Sequence, residues 1–245
     1  MESQKTLLVS KDLFVTGEGK TIYLQPKIVL VIQFVAILIL LSLNLLGLYL
    51  SIYTDVVFSK THRLIDFNQE ANIPTFYSAL VIFVCSMILF LITALVKLSG
   101  AKYWGWLWLG FIFLFLSIDE AASIHEIFIG ITRRTFNLSG YLSFAWVVPY
   151  GLAVIALAIL YVPFLRDLPD PTRLLFLLSG AIFIAGAIGM EMIGGKVGDT
   201  VGSEGIYVLI YTVEELLEML GMALFLYALL DYLSKSFDFN VQMGK

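Results

Sequence analysis

Six apolar runs, at about 28–53, 74–98, 103–127, 142–165, 172–195 and 206–233, limit what this chain can become. Each exceeds the roughly 20 residues an α-helix needs to cross about 30 Å of hydrocarbon at about 1.5 Å per residue. A lipid interior satisfies no backbone N–H or C=O, so runs of this length predict transmembrane helices. The expected fold is therefore all-α, a polytopic bundle of six spans. It has a polar tail at 1–27, a transmembrane domain at 28–235 and a short tail at 236–245. Composition agrees: 60% of residues are hydrophobic and 14% charged, with a mean hydropathy of +0.92. Soluble domains lie nearer 45–50% apolar and about 25% charged.

Several function classes fall away. The net charge of −4 and the lack of a basic arm, a phosphate-cradling glycine loop or a zinc ribbon argue against nucleic acid as a partner. The single cysteine, Cys85, permits no intrachain disulfide and reads as a buried thiol. No cleavable signal peptide is expected, because the first apolar run is too long for one and reads as a span.

With the N-terminus inside, ten of the fifteen Lys and Arg fall on inner segments and five on outer ones, which favours both termini inside. Tyr103, Trp104, Trp106 and Trp108 then anchor span 3 at the inner interface. Ala181, Ala185 and Gly189 form a small-residue stripe on span 5, suited to close approach of another helix. Pro149 falls inside span 4 and should kink it. Of the outer segments, Asp55–Asn72 carries His62, Arg63, Asp66 and Glu70, and Gly194–Gly205 is glycine-rich and expected to be mobile. Each serves either as a cap over a site or as a solvated connector, the commoner role. Asn137-Leu138-Ser139 fits a glycosylation acceptor, which has no meaning in a bacterial cell.

The residues that point to chemistry are the charges inside the spans. Span 3 ends in SIDEAASIHE, giving Asp119, Glu120, His125 and Glu126. Span 5 carries Glu191, and span 6 reads TVEELLEMLG with Glu214, Glu215 and Glu218. Their distances from the span ends bring all three sets to one depth, the extracytoplasmic half for termini inside. At about 100° per residue, Asp119, Ser123 and Glu126 share an arc of about 60°, and the three glutamates of span 6 share one of about 100°. His125 points away from Glu126 on an ideal helix, so it joins the site only if span 3 loosens near its end.

An uncompensated charge at the bilayer centre costs about 2.5–3.5 kcal/mol on insertion scales, and clustered acids also repel one another. Protons, a bound cation, or polar partners and water must offset this. A carboxylate-rich set suits an oxygen-loving ion or a carboxylate-bridged pair, with zinc on His125 and two acids as the other option. A divalent metal (Zn, Mn, Mg or Fe) is the cofactor to expect if one is bound. Then Glu126, His125, Glu191, Glu214 and Glu218 are the ligand candidates, and Asp119, Glu120 and Glu215 the candidate catalytic groups. The helical di-iron pattern is absent, because Glu120 and His125 are five apart and span 6 has no histidine.

The pattern SxDExxSxHE, a glutamate before GG, and TVEExLEMxG resembles an uncharacterised group of bacterial six-helix membrane proteins over about residues 74–233. That resemblance implies a bacterial inner (plasma) membrane and brings no activity with it. Ser117, Asp119 and His125 are also similar to the ceramidase-like transmembrane hydrolases, but span 6 lacks the histidine pair of that pattern.

Three readings of function follow. The first is metal-dependent chemistry on a lipid or amphipathic substrate, by a hydrolase or lipid-modifying enzyme. The second is a proton- or cation-coupled transporter. The third is a non-catalytic subunit of a membrane complex. The lipid bilayer is the partner common to all three, and a homo- or hetero-oligomer fits each.

Overall fold

In the computed structural model, residues 25–53, 62–127, 138–200 and 204–237 are described. Outside them lie the tail to residue 24, Lys60, Arg133, Arg134, Asn137 of the acceptor triplet, residues 201–203 of the glycine-rich segment, and the tail from 238. The described residues form an all-α bundle. Its helices are α1 (Pro26–Tyr53), α2 (Ile73–Leu98), α3 (Trp104–Ala122), α4 (Val147–Asp167), α5 (Asp170–Ile184), α6 (Glu191–Thr200) and α7 (Glu204–Ser236). A single wide π turn, Ala185–Met190, joins α5 to α6, so the two make one continuous rod. Six helical stretches are long and apolar enough to cross a membrane, the fifth being Asp170–Asp199, which marks an integral membrane protein.

Local chemistry sets the ends of these rods. Asn72 caps α2 by accepting from the Thr75 N–H at 3.0 Å, and Pro74 follows in the first turn, where its missing N–H costs nothing. The α2–α3 turn passes through Gly100 at φ +75°, a conformation that favours glycine. Leu168 and Pro169 leave the helical region between α4 and α5, allowing a tight reversal.

Helix α7 is the axis. In its 18-residue apolar stretch 61% of the residues are buried, against 6% for that of α4, so the other helices are arranged around α7 and α4 lies at the edge. It packs against α1, α2, α5, the π turn and α6. One apolar cluster joins α2, α3 and α5 to α7 through Ile82, Leu89, Trp106, Phe176, Met222 and Leu229. A second joins Ile37 and Leu40 of α1 and Phe67 to Met219 and Ala223 of α7. Cys85 is fully buried, as expected. Between α2 and α3, Ser86 and Ser117 donate to the carbonyls of Gly110 and Ala79, both at 2.8 Å. Leu152, Ile155, Ile159 and Leu160 of α4 face outward, as does one side of α1, where lipid rather than water is the favourable neighbour.

Four expectations are corrected. Trp106 is no interface anchor: it is buried, stacked on Tyr232 at 4.7 Å and edge-on to Phe164 and Phe176. Trp104 and Trp108 remain exposed. Pro149 falls in the first turn of α4, where no intrahelical bond is lost, and the proline inside the helix is Pro163. The glycine-rich segment stays helical to Thr200, because Asp199 accepts from the Gly140 N–H and the Ser143 hydroxyl across the α6 surface. The stripe on span 5 faces outward: Ala181 and Ala185 are exposed, and a Cβ on Gly189 would meet nothing within 4 Å. Close approach to α7 comes instead at Gly186, where a Cβ would stand 2.8 Å from the Glu214 carbonyl oxygen.

Candidate functional site: an acidic, aromatic-walled cavity

All eight side chains singled out from the spans line one cavity of about 210 Å³. Asp119, Glu120, His125 and Glu126 come from α3 and its continuation. Glu191 comes from the start of α6, and Glu214, Glu215 and Glu218 come from α7. The connection between α1 and α2 adds Phe67, Asn68 and Glu70. The segment before α4 and its first turn add Phe144, Trp146 and Tyr150, and α7 adds Tyr207 and Tyr211.

The end of α3 is built around Asp119. Ser123 takes the left-handed conformation (φ 50°, ψ 43°), and its N–H bonds the Asp119 carbonyl, closing the helix. The chain turns back, and the His125 N–H donates to Asp119 Oδ1 at 2.8 Å. The imidazole Nδ1 lies 3.4 Å from Oδ2, and the Tyr150 hydroxyl donates to Oδ1 at 3.0 Å. This is the loosening that His125 required. Asp119 is buried with its oxygens engaged by His125 and Tyr150.

The π turn governs Glu191. A wide turn shifts the helical register of everything after it, and Glu191 is the first residue past it. Its carboxyl accepts from Trp146 Nε1 at 3.0 Å and lies within hydrogen-bonding reach of Glu214. Glu70 reaches the cavity because Asn44, buried in α1, accepts from the Phe67 N–H at 3.1 Å, while Asn72 Nδ2 donates to the Asp66 carbonyl at 2.6 Å. Ala71 at φ 55° makes the bend between Glu70 and the α2 cap. Ser123 Oγ donates to Glu70 Oε2 at 3.4 Å, linking this connection to the end of α3.

Glu120, Glu215 and Glu218 differ from these. Half-buried and facing the cavity, they make no hydrogen bond among the described residues. Nor do three His, Cys, Asp or Glu side chains stand where one metal ion would join them, among the described residues. Of the ligand candidates, Glu191 is turned to Trp146 and the imidazole of His125 to Asp119.

Burial pushes Glu70 above the usual carboxylate range, while His125 pulls it back, and Glu126 and Glu191 add to the rise. For His125, burial works against the charged ring, but the hydrogen bond and charge of Asp119, with Glu70 and Glu126, outweigh it and raise it above 6.5. A raised histidine adds stability that is fully present below its unfolded value and lost as pH climbs through the folded one. In thermal melts in detergent, His125→Gln should therefore lose most against wild type below about pH 6, with the gap shrinking by pH 9.

Glu70, Trp146, Tyr150, Tyr207 and Tyr211 were not among the residues singled out from the sequence. For the two α7 tyrosines a signal exists: Tyr207, Tyr211, Glu214 and Glu218 are spaced 4, 3 and 4, a single helical stripe. For Trp146 no sequence signal stands out, because its placement depends on the π turn that aims Glu191.

The chain belongs to a family defined by a domain of unknown function (DUF8692), whose model matches residues 30–233. No curated protein and no solved structure matches it.

Proposed function

We propose that this chain is a proton-coupled cation carrier, and that its acidic cavity is where protons and a cation replace one another. The observation that carries this reading is the state of Glu120, Glu215 and Glu218: half-buried within the spans, facing a void, with no hydrogen bond from the described residues. Among the described residues, the one imidazole lining the cavity is already held by Asp119, and no Lys or Arg lines it. What balances these carboxyls enters the cavity from outside, as protons, a positive ion or water, and a carrier uses the first two. Metal-dependent chemistry on a lipid draws less support, because among the described residues the donors do not converge on one ion. Pairing with the basic residues of another subunit would have to take place inside a cavity walled by this chain's own helices.

The test is made in proteoliposomes carrying a pH dye inside. An inward gradient of the right cation should drive protons out and raise the internal pH above that of empty vesicles. Mono- and divalent inorganic cations and organic ammonium ions are each tried. If none of them moves protons, the carrier reading is lost.

A further inference from the structure

We infer that the ion this cavity takes is a small organic ammonium rather than a metal ion, a refinement that rests on the carrier reading above. Acidity alone would not say so. Three features of the cavity beyond its acidity do.

The first is what the walls are made of. Beside the carboxyls stand the rings of Phe67, Phe144, Trp146, Tyr150, Tyr207 and Tyr211. They occur in edge-to-face pairs, Trp146 with Tyr150 at 5.2 Å and Tyr207 with Tyr211 at 5.7 Å between centroids. Aromatic faces attract cations, most strongly those whose hydration shell is weak or already lost, which describes alkylated ammonium. A hard inorganic ion needs oxygen ligands instead and gains little from rings. The second is size. A cavity of about 210 Å³ far exceeds a bare ion, whereas about 150 Å³ already suffices for benzene in an engineered protein cavity. The third is the pattern of engaged and free carboxyls. Asp119 and Glu191 spend their oxygens fixing Tyr150 and Trp146, so these acids hold the aromatic walls in place. Glu120, Glu215 and Glu218 are left without hydrogen bonds among the described residues, and so remain to meet a charge.

The division of labour is then clear. Two acids position rings, three carry the counter-charge, and the rings supply the surface that an alkylated cation prefers over water. For each singly charged ammonium that enters, one proton leaves the carboxyl cluster, so the cavity's charge is unchanged.

The same proteoliposomes test this with tetramethylammonium beside Na⁺, K⁺, Mg²⁺ and Mn²⁺. Tetramethylammonium should drive proton exit at concentrations at least tenfold lower than any inorganic ion does. Replacing one ring while keeping apolar bulk, as in Tyr207→Leu or Phe144→Leu, should raise its half-saturating concentration about tenfold. Tyr207→Phe, which keeps the ring, should change it less than threefold. The wild-type selectivity is read without any variant, so a misfolded variant cannot hide the answer. If inorganic ions work as well as tetramethylammonium, the ammonium inference fails and the carrier reading stands. If no cation moves protons, both fail.

Discussion

The double variant Glu215→Gln, Glu218→Gln should lose at least nine-tenths of cation-driven proton exit while melting in detergent at or a few degrees above the wild-type temperature. Glutamine keeps the shape of glutamate and removes its charge, so packing along α7 is preserved. Neither side chain holds another residue by a hydrogen bond among the described residues, so nothing is left unsatisfied by the change. Charge repulsion within the cluster falls instead, and relief of about 1 kcal/mol corresponds to roughly 2–4 °C in a chain of this size. Asp119→Ala should behave in the opposite way. It strands the His125 N–H, a loss of about 1–3 kcal/mol when buried, and removes one acceptor of the Tyr150 hydroxyl. Its melting temperature should fall clearly. Paired melting and vesicle measurements on the two variants would separate acids that carry charge from the acid that holds the site together. A Glu215/Glu218 variant that unfolds would assign these glutamates to structure and remove the carrier reading's main support.

The six spans were legible because length and hydropathy alone decide them, and the lipid environment leaves few alternatives. Convergence of the acids was legible for a related reason: rise per residue fixes depth whichever way the chain is inserted. What escaped was rotation outside the acidic faces. Trp106 turns inward to Tyr232 while Trp104 and Trp108 stay outside, although all three share one short aromatic run. A span hydrophobic all round carries little moment to say which side faces lipid. The π turn adds a further shift that no residue pattern announces, and Glu191, the first residue past it, meets Trp146. Glu70 is a third case. Its place depends on Asn44, 26 positions earlier, accepting the Phe67 N–H from inside a membrane helix.

The same rotational blindness makes the glycine contacts the sharpest test of the fold itself. Gly186→Val and Gly221→Val should each lower the yield of folded protein severely, whereas Ala185→Leu should be tolerated. A Cβ at Gly221 would come within 2.7 Å of the Phe183 backbone nitrogen, and one at Gly186 within 2.8 Å of the Glu214 carbonyl oxygen. Both obstacles are backbone, which cannot swing aside as a side chain can, so α5 and α7 must separate. Overpacking of this kind costs about 1–3 kcal/mol, and here it acts on the helix around which the bundle is arranged. Ala185 is exposed, directly before Gly186, so an added side chain there points to lipid. Gly186 carries one consequence that Gly221 does not. Its Cβ would also press on Glu218 Cγ at 3.0 Å, so any Gly186→Val protein that folds should show altered cation affinity. Fluorescence-detected size-exclusion profiles give the folded fraction, and the vesicle assay gives the affinity. Folding of Gly186→Val with unchanged affinity would mean that the approach of α5 to α7 does not set the position of Glu218.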